Sequence, residues 1–367
     1  MTDTAGSYEM VRRLDEDGRP VEEGYEPPLE DEQLVALYRD MRLGRRFDDR
    51  MISLQRQGRI GTYASLAGQE GAQFGSMYAM DEVDWLSYQY REHAGPIVRD
   101  CLAPYIQYWM GHEEGNAALV DENIMPLNIS IGSHIPHATG YAWAAKLRGD
   151  DRAVVCHFGD GATSEGDFHE GLNFAGVFDV PAVFVCNNNQ WAISVPTEQQ
   201  TASETFAQKA EAYGFEGVRV DGMDPLAMYE VTRDALEKAK DPDEDKRRPT
   251  LIEAVQYRFG AHTTADDPTK YRDDSEVEAW KQKDPIVRLE AFLRGRGLLD
   301  DERIEAIETE VSETLAEAVD AAMAVEADPD SMFQYVYENQ TRRLAEDTAR
   351  LRALRSAFGD DALLRDE

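Results

Sequence analysis

The sequence predicts an α/β protein built on a mostly parallel sheet flanked by helices, with helical extensions at both ends. Three observations carry this. RAVVCHF (152–158) and PAVFVC (181–186) are short, apolar, β-branched runs joined by a helical stretch, the pattern of a βαβ unit with parallel strands and a right-handed crossover. GVRV (217–220) and TLIEAVQY (250–257) repeat the alternation around the helix-like DPLAMYEVTRDALEKAK. Turn-rich segments, GDGATSEGD (159–167) and NNNQW (187–191), follow the first two strands, where an open parallel sheet binds its ligands.

The remaining elements follow in chain order. Residues 1–28 are polar, contain Gly18, Pro20, Pro27 and Pro28, and read as an extended arm. From Asp31, the residues Leu34, Leu37, Tyr38, Met41, Phe47, Met51 and Leu54 recur at helical spacing and predict a long amphipathic helix. Gly58 to Gly75 is expected as a glycine-rich stretch leading into a strand, VDWLSY, that ends at Tyr88. Pro96–Met110 reads as one helical stretch and Ser133–Arg148 as another, while Asp241–Pro249 is a charged surface loop. Beyond Asp273 the chain is acidic and helical, with a stripe of Ile304, Ile307, Val311, Leu315, Val319 and Met323. The expected organisation is an arm (1–30), an α/β domain (31–290) and an acidic helical extension (291–367), without internal repeats.

Composition narrows the function. The chain has 367 residues and a formal charge of −34, yet 42% of it is hydrophobic, so the charge lies on the surface of a folded body. Such a surface repels a phosphate backbone, which argues against nucleic acid, and an anionic membrane is equally disfavoured. Lysine is scarce, 8 against 30 arginines. Abundant carboxylates with few lysines predict a very salty cytosol, as in halophilic archaea, where screening makes the self-repulsion tolerable. Three cysteines without metal-like spacing predict no disulfide framework and a reducing, cytoplasmic setting. The N-terminal MTDTAGSYEM has neither a basic nor an apolar region and no window reaches 18 apolar residues, so neither secretion nor membrane spanning is expected.

The chemistry is expected at the two strand-end turns. Gly159 and Gly161 let the backbone approach a phosphate, and amides at the start of the following helix favour an anion. Asp160 and Asn189 offer hard oxygen ligands from neighbouring strand ends, which suits Mg²⁺ shared with a diphosphate. A lone GDG is weak, because most Asp-Gly pairs in an acidic chain are ordinary turns. The pairing is stronger: the motifs end two predicted parallel strands and stand one βαβ unit apart.

GDG followed at this distance by NN resembles the thiamine diphosphate-binding motif, and the chain resembles the α subunit of the E1 component of 2-oxo acid dehydrogenase complexes. The resemblance runs from about Glu32 to about Glu338 through RQGRIGTYASLAGQEG (56–71), QYRE (89–92), ISIGSHIP (129–136), GDGATSEGDFHEGLNFAG (159–176), CNNNQWAIS (186–194), VDGMDPLAMY (220–229) and YRFGAHTTADDPTKYR (257–272). It implies a thiamine diphosphate-binding fold with thiamine diphosphate and Mg²⁺ as cofactors. The implied assembly is an α/β heterotetramer in which an E1 β subunit completes the active site and a lipoylated E2 accepts the acyl group. By position, Asp160, Asn189 and the backbone carbonyl of Trp191 would bind Mg²⁺, and Tyr90 and Arg91 the diphosphate. Gly159, Gly161, Ala162 and Thr163 would line the diphosphate with backbone. Ile131, with Ile129 on the same turn, would prop the cofactor in its bent form. His262 would stand near the reaction centre to stabilise charge or donate a proton, with Arg258 and Arg272 ordering its loop.

Some positions depart from the family pattern. His134 stands where glutamine is usual, Gln190 where arginine is common, and Ala261 where proline, glycine or histidine is found. His93 is left outside the site, His157 reads as a core residue of its strand, and Cys156 and Cys186 as buried structural thiols. Pyruvate is the expected substrate, ahead of branched-chain 2-oxo acids. The alternatives are an acetoin dehydrogenase-type E1 and a catalytically silent subunit; a nicotinamide enzyme is disfavoured because no G-x-G-x-x-G follows an early strand.

Overall fold

The computed structural model describes residues 8–326 and 328–363, so the first seven residues of the predicted arm lie outside it. Five strands form one sheet: β1 (Trp85–Ser87), β2 (Val154–Gly159), β3 (Ala182–Asn188), β6 (Glu216–Asp221) and β7 (Thr250–Val255). Two short strands, β4 (Trp191–Ala192) and β5 (Val195–Pro196), make a separate antiparallel hairpin. The sheet order is β1-β2-β3-β7-β6 and every pairing is parallel. After β3 the chain leaves for the far edge and returns, so the strand order reverses beside β3, the place where such sheets open a crevice.

Among the described residues eleven helices belong to the same compact unit as the sheet, α1 (Asp31–Arg56), α2 (Glu70–Tyr78), α3 (Ala94–Val98), α4 (Leu102–Trp109), α5 (Glu113–Ala118), α6 (His134–Arg148), α7 (Gly166–Phe178), α8 (Pro225–Lys240), α9 (Asp274–Lys281), α10 (Pro285–Gly295) and α11 (Asp301–Met323), and two more, α12 (Ser331–Gln334) and α13 (Arg342–Phe358), follow in the C-terminal unit. Alternation along β2 and β3 divides the core. Cys156, Phe158 and Phe184 pack with Ile135, Ala138, Phe168 and Leu172 of α6 and α7. Val155, Val183 and Val185 pack on the opposite face with Ala72, Ala227 and Met228 of α2 and α8. A third, larger cluster joins α1, α3, α4, α10 and α11.

One expectation needs correction, and the stretch expected only as glycine-rich is helical in part: over Glu70–Tyr78 small residues let α2 approach α8 closely. A Cβ on Gly75 would lie 2.5 Å from the carbonyl oxygen of Pro225, and one on Gly71 2.5 Å from that of Gly222. Gly75→Ala is therefore expected to lower stability by about 1–3 kcal/mol through overpacking, despite alanine's better helix propensity. A melting temperature at or above wild type would show that the two helices can separate without cost. The stretch 96–110 is likewise two helices, broken where Asp100 takes a left-handed φ of 54°.

The chain forms two compact units, one extending to Met323 and one from Ala324 on. α10 and α11 belong to the first unit, where they bury Ile286, Leu289, Leu293, Val311 and Val319 in the cluster around α1. In the second unit α12 and α13 contact each other. The arm is pinned to the first unit: Val11 bridges Val220 at the β6 edge, and the amides of Arg13 and Leu14 both donate to Asp224 Oδ2 at 2.7 Å. The same carboxylate caps α8 through Oδ1, which accepts from the amides of Leu226 and Ala227. Among the described residues no helix is long and apolar enough to cross a membrane.

Candidate functional site

Register builds the site. Gly159 and Asn187 are paired across β2 and β3, so both turns leave the sheet side by side. Asp160 then opens a 3-10 turn to Ser164, from which α7 starts. Past Asn189 the chain makes the β4–β5 hairpin, with Gln190 (φ 74°) and Ile193 (φ 57°) in left-handed conformation. A β-branched residue rarely adopts that conformation, and Ile193 is held there by Arg258, whose Nη2 donates to its carbonyl at 2.8 Å.

A cleft of about 230 Å³ opens at this strand end. Of the residues the resemblance implicates, Tyr90, Arg91, Ile131, Gly159, Asp160, Gly161, Ala162, Asn189, Trp191 and His262 line it. Two do not. Ile129 is 59% exposed outside the cleft, and Thr163 is buried with its hydroxyl unpaired among the described residues. Glu92, Glu165, Ile193 and Arg258 line it without having been assigned to the cofactor from sequence.

The electrostatics fit a metal–diphosphate pair. Asp160 is buried, accepts its side-chain hydrogen bond from Gln200 Nε2 at 2.7 Å and has no ion pair among the described residues. Burial pushes its carboxyl up to about 6 against that hydrogen bond, so the ionised form is disfavoured there unless a cation offsets the burial. Asn189 Nδ2 donates to Gln69 Oε1 at 3.1 Å, and Asn189 Oδ1 accepts only a long 3.3 Å bond from the Trp191 amide. One carboxylate, one amide oxygen and the Trp191 carbonyl are hard donors of the kind Mg²⁺ shares with water and phosphate. Among the described residues no three His, Cys, Asp or Glu side chains converge as they would for a softer metal.

Positive charge gathers on the other wall. Arg91 donates through Nη1 to Ser65 O at 2.6 Å and through Nη2 to His262 O at 2.7 Å, clasping the loop that carries His262. Burial, then Arg91, lowers the buried Arg258 to about 10. His262 falls to about 4, through burial first and the two guanidiniums next, so it is neutral at pH 7. Its Nδ1 lies 3.2 Å from Arg91 Nη2 and 3.5 Å from Arg258 Nη1. Both neighbours can only donate, so Nδ1 accepts and the proton resides on Nε2.

Behind the cleft runs a buried polar chain. Glu92, its carboxyl raised by burial, accepts from Asn187 Nδ2 at 3.1 Å and from the Gln89 amide at 3.1 Å. Asn187 also donates to His157 Nδ1 at 3.2 Å, and His157 Nε2 donates to Ser76 Oγ at 3.0 Å. His134 Nε2 donates to His157 O at 2.8 Å, making it a strut between α6 and β2. His157 is thus in the core, as are Cys156 and Cys186, whose thiols burial pushes up. His93 is buried away from the cleft, bonded to Ala64 O at 2.7 Å and the Tyr105 hydroxyl at 2.6 Å. Glu92 and Ile193 had a signal in sequence, since they fall in the QYRE and CNNNQWAIS blocks; Gln200 had none.

Residues 38–330 match the family described as "Dehydrogenase E1 component". The chain is 42% identical over 354 residues, 94% of its length and 93% of the relative's, to the pyruvate dehydrogenase E1 component subunit alpha of Staphylococcus aureus strain Mu50. It is 41% identical over 354 residues, with the same 94% and 93% coverage, to the protein of that name from Staphylococcus epidermidis.

Proposed function

The chain belongs to the dehydrogenase E1 component family, and from that premise we propose that it is the alpha subunit of a thiamine diphosphate- and Mg²⁺-dependent pyruvate dehydrogenase. The observation that carries the cofactor reading is Asp160: a buried carboxylate with no ion pair among the described residues, lining one cleft together with Arg91, Arg258 and His262. When bound, thiamine diphosphate supplies a nucleophilic carbon and an electron sink for decarboxylation of the 2-oxo acid. Asp160, Asn189 and the Trp191 carbonyl would hold Mg²⁺, and Tyr90, Arg91 and the Gly159–Ala162 backbone the diphosphate. The guanidinium fork of Arg91 suits phosphate oxygens, and its grip on the His262 loop ties that loop to the occupied site. Neutral His262 presents Nε2–H, a donor that can stabilise developing negative charge without adding a third cation to the wall. The Thr163 hydroxyl and Ile129 stand apart from these tasks, while Ile131 remains the apolar prop.

The partners in this reading are an E1 β subunit in an α₂β₂ assembly and a lipoylated E2. The outer faces of α6 and α7 support a partner chain, since Tyr141, Leu147, Phe174 and Val177 are exposed there. Trp143 and Phe178 stack beside them with ring centroids 4.1 Å apart. A high-salt cytosol is supported by 72 acidic against 38 basic residues.

The test is thiamine diphosphate- and Mg²⁺-dependent dye reduction by the chain co-purified with its β partner in high potassium chloride. Pyruvate, 3-methyl-2-oxobutanoate and acetoin are compared side by side. Turnover favouring pyruvate is expected; preference for either other substrate, or no turnover by an assembled tetramer, would overturn the reading.

A further inference from the structure

Gln200 is not part of the sequence motifs, yet it makes the side-chain hydrogen bond that fixes Asp160. It stands just past the β4–β5 hairpin, after a 3-10 turn over Thr197–Gln199, and its amide donates to Thr197 O at 3.0 Å. The hairpin itself is anchored, because Arg258 holds the carbonyls of Ile193 and Trp191 with its two terminal nitrogens at 2.8 and 3.4 Å. It also lies against the GDG turn: a Cβ on Gly161 would sit 2.9 Å from Ala192 Cβ. The segment that supplies Asn189 and the Trp191 carbonyl therefore continues directly into the residue that orients Asp160.

The Gln200 side chain is half used. Nε2 donates to Asp160 Oδ2 at 2.7 Å and to Val195 O at 3.1 Å, which fixes the amide's orientation and leaves Oε1 buried without a partner among the described residues. A buried amide oxygen lacking a donor costs free energy unless a water or ion reaches it. Magnesium retains several waters when it binds proteins, and those waters need acceptors.

From this geometry we infer that Gln200 is a positioning residue of the cation site: it locks the Asp160 carboxylate through Oδ2 and offers Oε1 to a water of the bound divalent cation. The inference rests on the Mg²⁺ reading above and adds a residue outside the direct ligands. Groups that orient metal ligands typically contribute about 10–100-fold to metal affinity.

The experiment uses Mn²⁺ as the probe and the αβ complex with thiamine diphosphate, titrated by electron paramagnetic resonance. Gln200→Met keeps the length and removes both polar groups; Gln200→Ala removes the bulk as well. Both variants are expected to bind Mn²⁺ about 10–100-fold more weakly, to need correspondingly more Mg²⁺ for half-maximal turnover, and to keep kcat within a few-fold at saturating Mg²⁺. Tetramer assembly is expected to persist, and the cofactor-free melting temperature, read separately, measures what the lost hydrogen bond to the buried Asp160 costs the fold. Wild-type Mn²⁺ affinity in an assembled Gln200→Met complex would overturn the positioning role alone. Absence of Mn²⁺ binding to the wild-type complex would overturn the cation reading on which it rests.

Discussion

Asp160→Asn is expected to weaken divalent-cation binding on the order of 100-fold or more while making the cofactor-free protein more stable. The two effects come from one carboxylate. Its folded-state value of about 6 lies above the ordinary 3.8, so the fold favours the protonated form. Above pH 6 the ionised group costs stability, and the cost disappears as the pH falls through the folded value. A difference of about two units corresponds to roughly 3 kcal/mol at neutral pH. Asparagine keeps the shape, is never charged, and accepts from Gln200 through its carbonyl oxygen. The gain should therefore be about 1–3 kcal/mol. Calorimetry at pH 8 without cofactor, beside a Mn²⁺ titration of the αβ complex, checks both. A variant that loses binding and stability together would show Asp160 to be a structural support rather than a ligand held ready for a cation.

The second large effect is on acid stability. His93 sits fully buried and neutral, its conjugate acid lowered to about 3, chiefly by burial; the Ala64 carbonyl opposes the shift and Arg91 adds to it. The unfolded chain takes up a proton near pH 6.5 and the folded one does not, so this group's contribution is steady above pH 6.5. It then falls by about 1.4 kcal/mol for each pH unit down to about 3. His157 and His134, each lowered to about 4, act in the same direction. The buried carboxyls of Asp48, Glu70 and Glu92 are raised and act oppositely, so raw pH curves mix the two. A difference isolates the histidine: the stability of wild type minus that of His93→Gln should be flat above pH 6.5 and decline between pH 6 and 4. Urea unfolding at each pH gives the slope. A difference that is level down to pH 4 would mean that His93 becomes protonated inside the fold.

The sheet and the two strand-end turns were legible in sequence because one physical signal serves both. Parallel strands buried on both faces must be continuous apolar runs, and chain reversal at their ends needs Gly, Asp and Asn. The helix at Glu70–Tyr78 was not legible, since its glycines are explained only by the proximity of α8, a contact far away in sequence. The same holds within the site. Asp160, Asn189 and Arg91 sit in local motifs, whereas Gln200 reaches Asp160 across 40 residues by way of a hairpin. Ile193 looks like an ordinary residue of its block until its φ is known, and Arg258, expected to order the His262 loop, also holds the carbonyl of Ile193 in the hairpin. Thr163 and Ile129 were placed by motif position alone. Position within a block does not say which residues reach the cleft, and these two are not among those that line it.

The arm that bridges Val220 has a consequence for how the protein behaves in a crowd of its own copies. β6 is a terminal strand of the sheet, and a terminal strand presents unpaired amides and carbonyls that any extended segment can join. Most proteins discourage such pairing with like charge. In molar salt that repulsion fades within a few ångströms, since the screening length there is about 3 Å. A physical cover does not fade. Val11 donates to Arg219 O at 2.9 Å and accepts from the Asp221 amide at 3.0 Å, filling part of the edge with the chain's own backbone. The arm is then a guard against self-association that salt cannot switch off.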